Sequence, residues 1–276
     1  MKTLYITDLD GTLLDKTPKT SEYTNSVINT LLKDGVVFSY ATARSLVTAR
    51  KVTKGLHPIY PVVVHNGTFI VDSQSGEILH KNIFDQNDAK NILDTLLKND
   101  LCPIVFSLIN NEQKFSYIKN RANAPTIEFL NNRVDDPRNR ECVTEQQLYD
   151  GELYYFTLIG DEHKLLPLYN KFKDDFRCLY QIDMYSGEYW LEIMPKSATK
   201  ANAITQLKEM LNCEYIIAFG DGINDIDMFR IADECYAVEN AVDELKNIAT
   251  KIIDSNVNNG VAKWLTMRYN TKRQPD

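Results

Sequence analysis

Short apolar runs alternate along this chain with longer stretches of helical periodicity. Leu4-Tyr5-Ile6 leads to Asp8, and Val36–Ala41 leads to Thr42. Val62-Val63-Val64 leads to His65-Asn66-Gly67, Tyr215–Phe219 to Gly220-Asp221, and Tyr236-Ala237-Val238 to Glu239-Asn240. Runs of this length, bounded by turn-forming residues, predict strands buried on both faces of a parallel sheet. Between them, Val27, Ile28, Leu31 and Leu32 share one helical face that Gly35 terminates. Ile204, Leu207, Met210 and Leu211 repeat the pattern before Tyr215. The alternation predicts βαβ units and an α/β fold with a doubly wound, Rossmann-like parallel sheet as its core.

The middle of the chain follows another rhythm. Ala89, Ile92, Leu93, Leu96 and Leu97 predict a helix, and Ile104–Leu108 with Lys114–Ile118 predict a hairpin across Asn110-Asn111-Glu112. Leu153–Ile159 predicts a strand, Lys164–Phe172 a helix and Trp190–Met194 a returning strand. This predicts an inserted α+β domain over residues 84–189, within a core domain made of 1–83 and 190–276.

Hydrophobic residues make up 43% and charged residues 25% of the 276, which suits a chain that buries a sizeable core. The formal net charge of -7 argues against a nucleic-acid partner, which needs a basic surface. No apolar stretch reaches the ~18 residues of a membrane helix, so no membrane partner is expected. The first apolar run ends too early for an export signal, and five scattered cysteines without a C-x-x-C pair suit free thiols in a reducing compartment. The expected location is the cytoplasm. The pattern carries no information on oligomeric state.

In a doubly wound sheet, ligands bind outside the carboxyl ends of the strands. Four stations lie at such ends or at a helix start. Asp8-Leu9-Asp10-Gly11-Thr12 follows the first strand, where one carboxylate could attack phosphorus and the next could exchange a proton. Taken alone, the pair is better explained by a simple Asx-turn ending the strand, which does not account for the other stations. An EF-hand loop does not fit, because glycine comes too early after Asp8 and Ile223 stands where a ligand is needed. Ala41-Thr42-Ala43-Arg44-Ser45 precedes a helix and suits phosphate binding, or plain capping by Ser45. Lys200 starts the Ala201–Leu211 helix, as a phosphate-binding cation or a solvated surface lysine. Gly220-Asp221-Gly222-Ile223-Asn224-Asp225 is a turn whose Asp221 would face Asp8 across any bound phosphate. That much negative charge calls for a cation, and magnesium, with its preference for oxygen ligands, fits.

Taken in order, D-x-D-G-T from Asp8, then Thr42, Lys200, and G-D-x-x-N-D-x-x-M from Gly220 to Met228 resemble the four motifs of the haloacid dehalogenase superfamily of phosphohydrolases. Asn66-Gly67, the 195–203 segment and the run from Asn240 to Ala262 are similar to its Cof-type branch, which carries an inserted α/β cap. The resemblance implies a magnesium-dependent phosphatase acting on small phosphorylated metabolites, with sugar phosphates the first expectation and pyridoxal phosphate or flavin mononucleotide next. It implies Asp8 as nucleophile and Asp10 as acid/base. Metal ligands would be Asp8, Asp10 through its carbonyl, and Asp221, with Asp225 orienting metal-bound water. Leu9 and Ala43 would offer backbone N–H groups to phosphate, and Thr42, Lys200 and Asn224 their side chains. Ala43 departs from the glycine usual in the family, and its Cβ restricts close approach of the backbone. A phosphomutase using the same intermediate, or a binding protein on the same scaffold, are the competing readings. Tyr154, Tyr155, Tyr185, Tyr189 and Trp190 are candidates for a substrate pocket or for ordinary packing in strands.

Overall fold

A computed structural model describes residues 1–182 and 187–273. The chain divides into two units, Met1–Lys81 with Thr199–Asp276, and Asn82–Ala198.

The first unit opens with β1 (Thr3–Thr7), α1 (Glu22–Lys33), β2 (Val37–Tyr40) and α2 (Leu46–Val52). Ser21 and Ser45 cap the two helices by accepting from the N–H of Thr24 and Thr48. Three strands follow, β3 (Val62–Val64), β4 (Phe69–Val71) and β5 (Ile78–Lys81), as an antiparallel sheet. The second unit then runs through α3 (Gln86–Lys98), β6 (Ile104–Ile109), β7 (Glu112–Tyr117), α4 (Ala124–Asn131), β8 (Asn139–Glu141), β9 (Glu152–Gly160), α5 (Glu162–Phe172), β10 (Arg177–Ile182) and β11 (Tyr189–Met194). The chain returns to the first unit with α6 (Lys200–Met210), β12 (Tyr215–Gly220), α7 (Ile226–Ile231), β13 (Glu234–Val238), α8 (Asp243–Lys246), β14 (Lys251–Ile253) and α9 (Gly260–Arg273).

The core sheet has the order β14-β13-β12-β1-β2, and every pair in it is parallel. From β1 the chain moves outward to β2 on one side, and from β12 to β13 and β14 on the other. The order therefore reverses between β1 and β12, which places the ligand crevice at their carboxyl ends. Leu4, Ile6, Val37, Phe38, Ile216, Ile217, Ala218 and Phe219 are all buried, as the continuous apolar runs require. Tyr5 and Phe219 pack their rings on Trp264 of α9, with centroids 6.4 and 5.1 Å away.

Val62-Val63-Val64 meets its expectation in part: it is buried and joins the core sheet in the parallel sense through the Ala41–Val63 bridge, but its ladder is antiparallel, with β4.

The second unit is a six-stranded mixed sheet, β10-β11-β9-β6-β7-β8. Its largest apolar cluster gathers Ile92, Leu93 and Leu96 of α3 with Val105, Phe156, Leu158, Leu191 and Ile193 of the strands and Leu165 and Leu168 of α5. The β6–β7 hairpin turns through Asn110 and Asn111, both at positive φ (51° and 64°), the conformation a two-residue hairpin turn requires. This unit ends at Ala198, not at residue 189. Tyr189–Met194 pairs antiparallel with both β10 and β9, so it belongs to the inserted sheet and not to the core. Tyr154 and Tyr155 are buried here, Tyr189 and Trp190 are half-buried, and Tyr185 lies outside the described residues.

All five cysteines are free thiols. Among the described residues, no helix is long and apolar enough to cross a membrane.

Candidate active site

Asp8 directly follows β1, and its N–H donates to Phe219 O at 2.9 Å, continuing the β1–β12 ladder by one residue. The chain then turns sharply through Gly11 at φ +77°, where a Cβ would sit 2.2 Å from Asp221 Oδ2. Glycine is therefore required twice here, for the left-handed backbone and for the close approach of Asp221. Asp221 sits just beyond β12, and Thr12 Oγ1 donates to its Oδ1 at 2.8 Å. The first and fourth stations are thus tied together at the point where strand order reverses. Asn240, just beyond β13, closes the same edge: its Nδ2 donates to Gly11 O at 2.8 Å, and its Oδ1 accepts from Asn256 N–H.

Lys200 is the first residue of α6, and its side chain has 0% exposure. Its Nζ donates to Asp8 Oδ1 at 2.5 Å and to Asp225 Oδ1 at 2.7 Å. It is therefore no solvated lysine. The approach of α6 depends on the His65-Asn66-Gly67 turn, three consecutive residues at positive φ. A Cβ on Gly67 would lie 2.1 Å from Thr199 O, at the start of α6. Asp225 is fully buried, and its Oδ2 accepts from the N–H groups of Asp221 and Gly222 at 3.0 and 3.1 Å. Both of its oxygens are committed to donors of this chain.

The electrostatics follow from crowding. Burial pushes the Asp8 carboxyl up to about 8; Lys200 opposes the rise, and Asp225 and Asp221 add to it. Asp221 is pushed up to about 6, chiefly by burial, with Thr12 opposing and Asp225 adding. Burial pulls Lys200 down, but the carboxylates of Asp8 and Asp225 outweigh it and hold the ammonium well above its ordinary range. Among the described residues, Lys200 is the cation in ion-pair contact with this acidic cluster.

One oxygen from each of Asp8, Asp221 and Asp225 lies within 4.8 Å of the others. Ligands on an octahedral magnesium are separated by roughly 2.9–4.2 Å, given bonds of about 2.1 Å. At most one of the three pairs can lie across such an ion, so side-chain movement of under about 2 Å would bring them into place, and the donors are the hard oxygens magnesium prefers. The residues fit such an ion.

At the second station, Thr42 is fully buried, its N–H donates to Val63 O, and its Oγ1 accepts from Arg44 N–H at 3.1 Å. Ala43 is exposed, Leu9 is buried, and Asn224 is exposed with its Oδ1 folded toward Gly222.

The sequence matches the family of haloacid dehalogenase-like hydrolases over residues 5–265. The chain belongs to that family. Among curated haloacid dehalogenase-like relatives, the 5-amino-6-(5-phospho-D-ribitylamino)uracil phosphatase of Bacillus subtilis is 29% identical, with 94% of this chain and 95% of that protein covered. A solved protein from Thermotoga maritima superposes with a TM-score of 0.80 at 24% identity, covering 100% of this chain and 99% of that one. A solved haloacid dehalogenase-like hydrolase from Bacteroides thetaiotaomicron gives 0.77 at 20% identity, covering 97% and 100%. At these identities the two solved structures show the fold alone.

The haloacid dehalogenase-like core thus gathers Asp8, Asp221, Asp225 and Lys200 tightly. It sends the Asp10 carboxylate to a different partner, Arg44, whose Nε and Nη2 donate to it at 2.7 and 2.6 Å. Sequence reading assigned no role to Arg44, Thr12 or Asn240. Arg44 and Thr12 lie beside Thr42 and Asp10 in the chain, and an arginine two residues after Thr42 was the available signal.

Proposed function

We propose that this enzyme is a magnesium-dependent phosphatase of small phosphorylated metabolites, working through a phosphoryl group carried on Asp8. The observation that supports it most is the Asp8–Lys200–Asp225 chain of short, buried hydrogen bonds beside Asp221. A buried cation holds one nucleophilic oxygen while the acidic surroundings demand a second cation.

Asp8, Asp221 and the backbone carbonyl of Asp10 would hold the ion, with Asp225 acting through the N–H groups and the ammonium it orients. When bound, magnesium supplies charge neutralisation and a template for the phosphate. Asp8 attacks phosphorus in line, forming an O–P bond as the bond to the alcohol oxygen breaks. Asp10 hands its proton to that oxygen. In the second step Asp10 takes a proton from water as the water oxygen attacks phosphorus, and Asp8 leaves as the carboxylate. Lys200 keeps Asp8 aimed and offsets charge throughout. Leu9 and Ala43 would offer N–H groups to the phosphate, and Thr42 and Asn224 their side chains.

The substrate class rests on the Bacillus relative, whose name specifies a phosphate ester on a sugar-alcohol chain. A primary phosphate ester of a sugar or sugar alcohol is the corresponding expectation here. Asp8→Asn keeps the shape of the site and removes the nucleophile, so magnesium-dependent phosphate release should vanish. Near-normal turnover in that variant rejects the mechanism. Isomerised phosphate ester in place of free phosphate would identify a mutase instead.

A further inference from the structure

We propose that Arg44 is a positioning residue that fixes the direction of the Asp10 carboxylate for its proton transfers, an inference that rests on the acid/base role given to Asp10 above. The Asp10 side chain is 50% exposed and lies on the loop after β1. An aspartate so placed ordinarily samples several rotamers, each aiming its oxygens elsewhere. Here Nε meets Oδ2 at 2.7 Å and Nη2 meets Oδ1 at 2.6 Å. Two parallel bonds between planar groups fix the twist of the carboxylate as well as its distance, which a lysine's point charge does not. Among the described residues no other partner holds this carboxylate.

Arg44 is itself anchored. Its N–H donates to Thr42 Oγ1 at 3.1 Å, and its carbonyl accepts from His65 N–H at 3.0 Å. The next residue, Ser45, caps α2. The placement thus runs from the end of β2 through Thr42 and Arg44 to Asp10. A carboxylate has about four lone-pair sites. The fork takes two, and the others remain open for proton exchange with the leaving oxygen and then with water.

The competing account is an ordinary surface ion pair, with little effect on anything. The two accounts differ in leaving-group dependence. An alkoxide needs a proton as it departs, whereas 4-nitrophenolate departs without one. The ratio kcat/KM reports steps only up to departure of the leaving group, so this pair of substrates, compared by kcat/KM, reads the acid step without the later attack of water. Arg44→Met should lower kcat/KM on an alkyl phosphate by about 10- to 100-fold, part of the 10²–10⁴-fold that general acid catalysis supplies. On 4-nitrophenyl phosphate the loss in kcat/KM should stay below about threefold. Arg44→Lys should rescue little, and millimolar guanidinium ion should restore Arg44→Met on the alkyl substrate only. Magnesium affinity by calorimetry and the melting temperature should match the parent, showing that neither metal binding nor folding has moved.

Equal losses of kcat/KM on both substrates, or no loss on either, would overturn the assignment. Asp10→Asn is the companion variant. If it shows the leaving-group selectivity and Arg44→Met does not, the Arg44 role alone falls. If Asp10→Asn lacks the selectivity, the acid/base reading of Asp10 falls and the Arg44 role falls with it.

Discussion

Replacing Lys200 by methionine tests the buried centre most severely. Methionine matches the length of the stem but removes the ammonium that sits between Asp8 and Asp225 at 2.5 and 2.7 Å. The side chains of Lys200, Asp8 and Asp225 are 0%, 6% and 0% exposed, so water cannot replace the lost partner. Breaking a buried ion pair by removing one member costs about 3–5 kcal/mol, because the remaining charge is left uncompensated. At roughly 2–4 °C per kcal/mol for a chain of this size, the metal-free variant should melt roughly 6–20 °C below the parent at neutral pH. With the Asp8 carboxyl pushed up to about 8, Asp8 is largely protonated at neutral pH, and Asp225 is the charge left without its partner. Adding Asp225→Asn to Lys200→Met removes that stranded charge, and the double variant should recover most of the loss. The assay is thermal unfolding by circular dichroism, with and without magnesium, across pH. A Lys200→Met protein that melts within about 2 °C of the parent at neutral pH would refute the reasoning.

Three further outcomes follow from the same geometry. Gly11→Ala puts a Cβ 2.2 Å from Asp221 Oδ2 at φ +77°, and should weaken magnesium binding measured by calorimetry, at a stability cost of about 1–3 kcal/mol in a melt. Gly67→Ala drives a Cβ to 2.1 Å from Thr199 O, and should displace the start of α6, costing kcat through Lys200 along with a similar loss of stability. In the metal-free protein burial pushes the Asp8 carboxyl up to about 8 and that of Asp221 up to about 6, from 3.8 for an ordinary aspartate. Between those values the native state binds more protons than the unfolded chain, so metal-free stability falls as pH rises from about 4 through about 8. Magnesium must displace those protons, so its apparent affinity and its stabilising effect should both grow between pH 6 and pH 8; a pH-independent affinity would contradict this.

Much of this was legible in the residues. Five apolar runs ending in polar residues located the strand ends, because strands buried on both faces leave no polar alternation and stop where the chain must turn. That logic also placed Asp8 and Asp221 together, since both follow neighbouring strands at the reversal of strand order. What escaped reading lacked such contrast. β14 is three residues with Ile252 half exposed, too short and too mixed to stand out. β10, Arg177–Ile182, is half-buried over its first four residues and exposed at its last two, and α4 is eight residues with Pro125 near its start. The antiparallel pairing of Val62–Val64 with β4 escaped because burial does not encode which neighbours a strand pairs with. Lys200 was ambiguous for a related reason: nothing local distinguishes a surface lysine from one that two distant carboxylates pull inward. Arg44 escaped because its partner, Asp10, is 34 residues away and meets it only after β1 and β2 pair.

The phosphoryl group on Asp8 is the point at which the account can be tested most directly. Enzyme mixed with magnesium and an alkyl phosphate, quenched in acid during turnover, can be reduced with borohydride, which converts an aspartyl phosphate to homoserine, and then mapped by peptide mass spectrometry. The account predicts homoserine at position 8 and nowhere else, absent from Asp8→Asn. Steady phosphate release with position 8 unmodified, or with the modification at another residue, would contradict it.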